Sequence, residues 1–256
     1  MGKHYVIGDL HGCYNALMEL LKKLDLSAND KVYFVGDILD RAPTPEEQLA
    51  LINWCLENIK IGGQFSMTIG NHEYRVRDEI EAIEYNLKLL NKPVTSEIIR
   101  EVLPFINHFY STYVDLATTD VDWLKVRDFI DTLPLYINLD LNSAKYIITH
   151  SWLCNKYGES IVEEFTNSCD NLILPDVNMS IWDRDCIFER VENMTIIHGH
   201  TRTISHRYDF YNPGRKPIPI RIGSNINIDT SCFQGKGVGN LTAYCIEEDA
   251  FIQAWD

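Results

Sequence analysis

Apolar residues fall into short runs along the chain, separated by longer amphipathic stretches. Residues 4–8, HYVIG, are rich in β-prone side chains and predict a first strand. Over 14–24, YNALMELLKKL, Ala16, Leu17, Leu20, Leu21 and Leu24 share one face at helical spacing. Residues 31–36, KVYFVG, predict a second strand, and 64–70, QFSMTIG, a third. Between them, 44–59 predicts a helix with Thr44 as N-cap, Pro45 in the first helical position and Glu47 closing a capping box. Strand and helix alternate, which predicts a parallel α/β sheet.

The pattern changes in the middle of the chain. From about 74 to 132 no strand pattern occurs, and 79–90, 96–114 and 120–133 read as helices. This is expected to be a helical insertion beside the sheet, within a single domain spanning 1–256. Strand patterns return at 135–141, 145–150, 194–201, 225–230 and 241–248. The first two, joined by Asn142-Ser143-Ala144, predict a hairpin. The Pro- and Gly-containing stretch 211–225 reads as a loop.

Composition narrows the function classes. The chain has 256 residues, 45% of them hydrophobic, enough for a sizeable core. Its formal net charge of −14 repels nucleic-acid phosphates and disfavours extended DNA or RNA binding. The seven cysteines are odd in number and contain no CxxC, so reduced thiols in a cytoplasmic protein are expected, packed in the core. The first residues run straight into a strand, so no signal peptide is expected. No stretch approaches the roughly 18 apolar residues of a membrane span.

Successive strand patterns end in side chains capable of binding metal. The first ends in Asp9 and His11 (GDLHG), the second in Asp37, Asp40 and Arg41 (GDILDR), the third in Asn71 and His72 (GNHE). Later ones end in His150 (ITHS) and His200 (HGHT). Turn chemistry alone explains Asp, Asn and Gly at such places, but not the repeated histidines. Sites in α/β sheets form outside the carboxyl ends of strands, so these residues are expected to converge. A mixed oxygen and nitrogen set without thiolate suits Mn²⁺, Fe or Zn²⁺. Its size points to two ions about 3.5–4 Å apart, with Asp37 able to bridge them.

In this order GDLHG, GDILDR and GNHE resemble the signature blocks of the calcineurin-like metallophosphoesterases. More narrowly they are similar to the phosphoprotein phosphatase branch in its small bacterial and phage form. ITH, HGHT and the closing NINIDTSCFQGKGVGNLTAYCI extend the likeness. The resemblance implies a four-layer α/β/β/α sandwich and a dinuclear site, with Mn²⁺ the first choice of ion and Fe or Zn²⁺ the alternatives. It implies that Asp9, His11 and Asp37 hold one ion, and that Asp37, Asn71, His150 and His200 hold the other. A hydroxide shared by the ions would attack phosphorus in line. His72 would protonate the leaving oxygen, oriented by Asp40, while Arg41 and Arg184 (in SIWDRD) would clamp the phosphate.

The implied activity is phosphoester hydrolysis, with a serine/threonine protein phosphatase placed first. A symmetrical diadenosine tetraphosphate hydrolase is the alternative, so the expected partner is a phosphorylated protein or nucleotide. A nuclease is disfavoured by the acidic balance. A binding module that has lost catalysis is disfavoured because every expected ligand is present. The sequence leaves the oligomeric state open. Ala42 stands where the second block usually has Gly, and Ile69 where phosphoprotein phosphatases often have Arg; the latter weakens the protein-substrate expectation. His198 is the alternative to His200, and Glu73 is expected to cap or support rather than react. Arg202 and Arg221 are expected on the surface, His4, His108 and His206 outside the site, and Tyr208 and Tyr211 in a substrate wall.

Overall fold

The computed structural model describes residues 2–106, 121–162, 175–185 and 192–255. Two five-stranded sheets face one another. The first contains β1 (His4–Ile7), β2 (Lys31–Phe34), β3 (Phe65–Met67), β9 (Leu241–Cys245) and β10 (Ala250–Ala254), in the order β10-β9-β1-β2-β3. The second contains β4 (Tyr136–Leu141), β5 (Ala144–Thr149), β6 (Met194–His198), β7 (Ile220–Ile222) and β8 (Asn225–Asn227), in the order β4-β5-β6-β8-β7.

Side-chain alternation explains the layering. Tyr5 and Ile7 of β1 face a cluster shared with the helices, while Val6 joins Ile148, Ile197 and Ile226 between the sheets. In the second sheet Ile147 and Ile196 point the other way, onto Trp152, Leu153 and Tyr208. One outer layer is therefore helical: α1 (Tyr14–Leu24), α2 (Pro45–Asn58), α3 (Asn71–Leu89), α4 (Ser96–Ile106) and α5 (Trp123–Ile130). The opposite outer face is covered by the segment around 152–162 and a short 3-10 turn at His206–Tyr208.

Both sheets are mixed rather than parallel. β1, β2 and β3 are parallel, as expected, but β9 and β10 add antiparallel strands. The stretch 211–225 contains β7, which hydrogen-bonds antiparallel to β8 across a turn at Gly223. β10 carries only a weak apolar alternation and was not expected from sequence. The hairpin is present, with a tighter turn than expected: Leu141 pairs with Ala144. Asn142 and Ser143 alone turn the chain, both at positive φ (51° and 67°), the signature of a type I′ turn.

The helical stretch begins earlier than expected, at Asn71, so the residues of the third block open α3. Ile99, Leu103, Trp123, Val126 and Ile130 join the same hydrophobic cluster as β1 and β2, so α4 and α5 pack into that core. Residues 107–114 of the expected helix, with His108, lie outside the described residues. Thr44 caps α2 by accepting from the Glu47 N–H at 3.2 Å. The Glu47 carboxylate does not close the box; it accepts from the Asn15 N–H at 3.1 Å and ties α2 to α1. The five described cysteines are free and buried, and among the described residues no helix is long and apolar enough to cross a membrane.

Candidate metal centre

The carboxyl ends of β1, β2, β3, β5 and β6 open at one edge between the sheets. His11, Asp37, Asp40, Arg41 and His200 all lie in tight turns there at positive φ (42°, 53°, 66°, 62° and 63°). Such conformations cost of order 1–2 kcal/mol each for non-glycine residues and persist only where surrounding contacts fix them. Glu73 does much of the fixing. Its buried carboxylate accepts from the N–H groups of Asp37 (2.7 Å), Ile38 (3.0 Å), Leu39 (3.2 Å) and Gly70 (3.1 Å). Burial first, then the charge of Asp37, raises its pKa to about 7. The expected capping role of Glu73 thus extends to holding the second block in shape. Ala42 is absent from the positive-φ positions, so replacing the usual glycine there costs no backbone freedom. Ile69 points into the helix-side core and gives its N–H to the Pro134 carbonyl at 2.9 Å.

Two groups of donors share Asp37. His11, Asp37 and His72 bring donor atoms within 4.8 Å of one another, as do Asp37, His150 and His200. The Asp37 Oδ2 lies 3.6 Å from His11 Nε2, 3.5 Å from His150 Nε2 and 3.8 Å from His72 Nε2. Burial opposes its charge, but His150, His72 and His11 outweigh this and hold its carboxyl below the usual range. Asn71 joins the second group through Oδ1, 2.8 Å from His150 Nε2 and 2.9 Å from His200 Nδ1. Asp9 reaches this edge without entering either group. Its two oxygens accept from the His200 backbone N–H at 3.2 and 3.1 Å. A Cβ on Gly199 would lie 1.8 Å from Asp9 Oδ1, which explains the glycine between the two histidines.

The donor chemistry fits a cation. Among the described residues His11 Nδ1 meets the Leu39 carbonyl (3.0 Å) and His150 Nδ1 the Val35 carbonyl (3.0 Å) as hydrogen-bond partners. Those nitrogens carry the protons, which leaves both Nε2 lone pairs turned inward. In the second group His150 Nε2 and His200 Nδ1 stand 3.1 Å apart beside an amide oxygen and a carboxylate. His150 Nε2, with its proton on the far nitrogen, is an acceptor crowded by the Asn71 oxygen and the Asp37 carboxylate, which a positive ion would satisfy. Burial keeps His11, His150 and His200 neutral by pulling their pKa values down, which suits them as ligands.

His72 opens α3 and donates from Nδ1 to the Asp40 carboxylate. Burial works against its charge, but Asp37 and then Asp40 raise its pKa above the ordinary value. Arg41 places Nη1 2.8 Å from His11 Nε2. Arg184 reaches from the other side, with Nη1 3.4 Å from both the His200 carbonyl and the Thr201 hydroxyl. Burial lowers its pKa while Asp229, Asp37 and Asp9 counter. His198 lies apart, with Nε2 2.7 Å from Asn225 Oδ1. Arg221 is engaged by Asp249 and Tyr244, and His4 by Glu247, as expected of residues outside the site. Tyr208 is a correction: it is buried, with its hydroxyl accepting from Asn227 Nδ2 at 2.7 Å, and forms core rather than substrate wall.

Three residues were missed. Asp229 follows β8 at the same edge; burial raises its pKa to about 6, with Arg41 and Arg202 countering. The rule that located the other residues, an acid just past a strand, would have found it. Phe233 stands edge-on to His11, with ring centroids 5.3 Å apart. Trp182 stands edge-on to His200 at 6.3 Å, at the end of the short helix α6 (Val177–Trp182). No periodic signal marks these aromatic residues.

The profile of the calcineurin-like phosphoesterases matches residues 3–213, and the chain belongs to that family. The two donor groups that share Asp37 are its candidate ligands for divalent ions. A symmetrical bis(5'-nucleosyl)-tetraphosphatase from Buchnera aphidicola is 40% identical over 70 residues, covering 27% of this chain and 23% of that one. One of the same name from Proteus mirabilis is 31% identical over 102 residues, covering 37% and 35%. The matched segments thus span about a quarter to a third of those relatives. Serine/threonine-protein phosphatase 2 of Salmonella typhimurium is 25% identical over 190 residues, covering 71% and 67%. Among solved structures, a candidate diadenosine tetraphosphatase superposes with a TM-score of 0.57 at 15% identity, covering 99% and 93%. A serine/threonine phosphatase from Saccharomyces cerevisiae gives 0.53 at 15%, covering 96% and 73%. These likenesses establish the calcineurin-like fold.

Proposed function

We propose that the chain hydrolyses dinucleoside tetraphosphates symmetrically, adding water across the central phosphoanhydride so that diadenosine tetraphosphate yields two ADP. The observation that carries this reading is the name shared by the Buchnera and Proteus relatives, at 40% and 31% identity. It therefore moves ahead of the phosphoprotein reading that the motifs alone placed first. A cavity of about 450 Å³ supports it, lined by Trp182, Met179, Arg184 and Arg207 beside the metal centre. The Trp182 indole, 44% exposed, offers a stacking face for a base. The phosphoprotein reading remains the second one, on the Salmonella relative, whose match extends over 71% of this chain.

In this mechanism His11 and Asp37, with Asp9 beside them, would hold one ion and Asp37, Asn71, His150 and His200 would hold the other, with Mn²⁺ the first choice. When bound, the ions supply Lewis-acid charge at the phosphoryl oxygens and acidify water. Arg41 and Arg184 bind the equatorial oxygens from opposite sides and orient the phosphorus. His72, kept protonated by Asp37 and Asp40, gives the Nε2 proton to the leaving phosphate oxygen. Arg207 supports Arg184 by donating to its backbone carbonyl at 2.9 Å and to Asp185 at 2.7 Å. A side-by-side assay of Mn²⁺-loaded protein on diadenosine tetraphosphate and a phosphoserine peptide tests the reading. Preference for the dinucleotide with ADP as sole product is expected. Preference for the peptide would replace it with the phosphoprotein reading.

A further inference from the structure

We propose that Arg202 binds the phosphate next to the one under attack, and so selects phosphoanhydride chains over phosphomonoesters. The inference rests on the dinucleoside polyphosphate reading and assigns the contact that such a substrate needs beyond a monoester.

Among the described residues three arginines lie around the metal centre, and their partners differ. Arg41 touches His11 Nε2, and Arg184 reaches the His200 carbonyl and Thr201. Together they are the pair assigned above to the phosphoryl group under attack. Arg202 lies two residues past His200 and is half-buried. Among the described residues its guanidinium has no hydrogen bond or ion pair; it rests over the Phe233 ring, 5.7 Å from the centroid. The same ring carries Arg41 at 5.1 Å and meets His11 edge-on at 5.3 Å. Phe233 is thus a shared platform linking the first ligand group, the first phosphate-binding arginine and a second, uncommitted one.

A half-buried guanidinium without an acceptor gives up hydration for little return. The cation–π contact and the nearby charge of Asp229 offset part of this. Its five N–H donors remain available to an anion. The surrounding chain carries a formal charge of −14, so a cation with no hydrogen-bond acceptor among the described residues, at the edge of a phosphate site, is well placed for a substrate with several phosphates. A planar fork also suits the paired oxygens of a non-reacting phosphate in a chain. A monoester has no phosphate to offer there.

The alternative is a structural Arg202 that only packs on Phe233 and balances Asp229. The two roles separate by substrate. Arg202→Gln is expected to lower kcat/KM on diadenosine tetraphosphate about 10- to 100-fold, chiefly through KM. The loss on p-nitrophenyl phosphate should be at least about tenfold smaller, and Arg202→Lys should restore part of the difference. Equal losses on both substrates, or no loss on the dinucleotide, would overturn the proposal. Binding gives a second readout. In a His72→Asn background, slowed in turnover, calorimetry with free Mn²⁺ held constant compares tripolyphosphate with orthophosphate. Tripolyphosphate should bind more tightly, and Arg202→Gln should abolish that advantage. If the parent protein leaves diadenosine tetraphosphate intact, the proposed function fails by itself, and the tripolyphosphate comparison still decides the role of Arg202. An advantage absent from the outset, or unchanged by Arg202→Gln, overturns it.

Discussion

The carboxylate side of the metal centre, carried by β1, β2 and β3, is held by contacts among neighbouring blocks of sequence. The imidazole side, carried by β5 and β6, is held by bonds that cross from one sheet to the other. On the first side Glu73 gathers the backbone of Asp37, Ile38 and Leu39, only 34–36 residues away. On the second side His150 is fixed by the Val35 carbonyl, 115 residues distant, and His200 by Asp9, 191 residues distant. The first side therefore forms wherever three parallel strands form in order. The second side depends on the two sheets stacking in register through Val6, Val35, Ile148, Ile197 and Ile226. Asp37 is the one residue that belongs to both donor groups among the described residues.

Removing that shared residue is the strongest way to test the comparison. Asp37→Ala is expected to lose both ions and to reduce hydrolysis to background, as measured by elemental analysis and turnover. Retention of two ions would show that each side holds its own metal and that Asp37 does not link them. His72→Asn acts on the first side alone. It should retain metal while lowering turnover roughly 10²–10⁴-fold, because the proton donor is lost and the ligands remain. Loss of metal in this variant would move His72, which sits with His11 and Asp37, from proton donor to ligand.

The smallest expected effect concerns stability on the second side, in protein with its metal chelated. His198 is fully buried at the end of β6, and burial pulls its pKa down to about 4, although bonds to Gly199 and Asn225 favour the charge. The unfolded chain takes up a proton on this residue near pH 6.5, whereas the folded one resists until about pH 4. Stability from this group is therefore full above pH 6.5 and declines as pH falls towards 4. His150 and His200, also depressed by burial, add to the same slope. Urea midpoints at pH 7 and pH 5 should show the decline, and His198→Asn should make it shallower. An unchanged slope in that variant would assign the acid sensitivity to the other buried histidines.

Much of this protein was legible in local sequence. The three parallel strands, the amphipathic helices, the hairpin at Asn142 and Ser143 and the polar residues at strand ends follow from side-chain periodicity and turn preference, which act over a few residues. For the same reason the sequence separated Glu73, with its carboxylate three residues past Gly70, from the reactive groups of its block. Other features depended on distant contacts. β7 was hidden in a Pro- and Gly-containing stretch because its strand character comes from pairing with β8. Tyr208 turned inward because Asn227 on another element meets its hydroxyl. Asp9 and His11 read alike in sequence, and only the fold shows that the Asp9 carboxylate accepts from the His200 N–H. The two histidines of HGHT are indistinguishable by composition, and they part because Asn225 engages one ring while Asn71 meets the other. Phe233, Trp182 and Arg202 acquire meaning only beside residues far away in the chain. Sequence by itself determined which donors stand at which strand ends, since that is local chemistry. The stacking of two sheets decided which of those donors come together, since hydrogen bonds and packing across the interface set those distances.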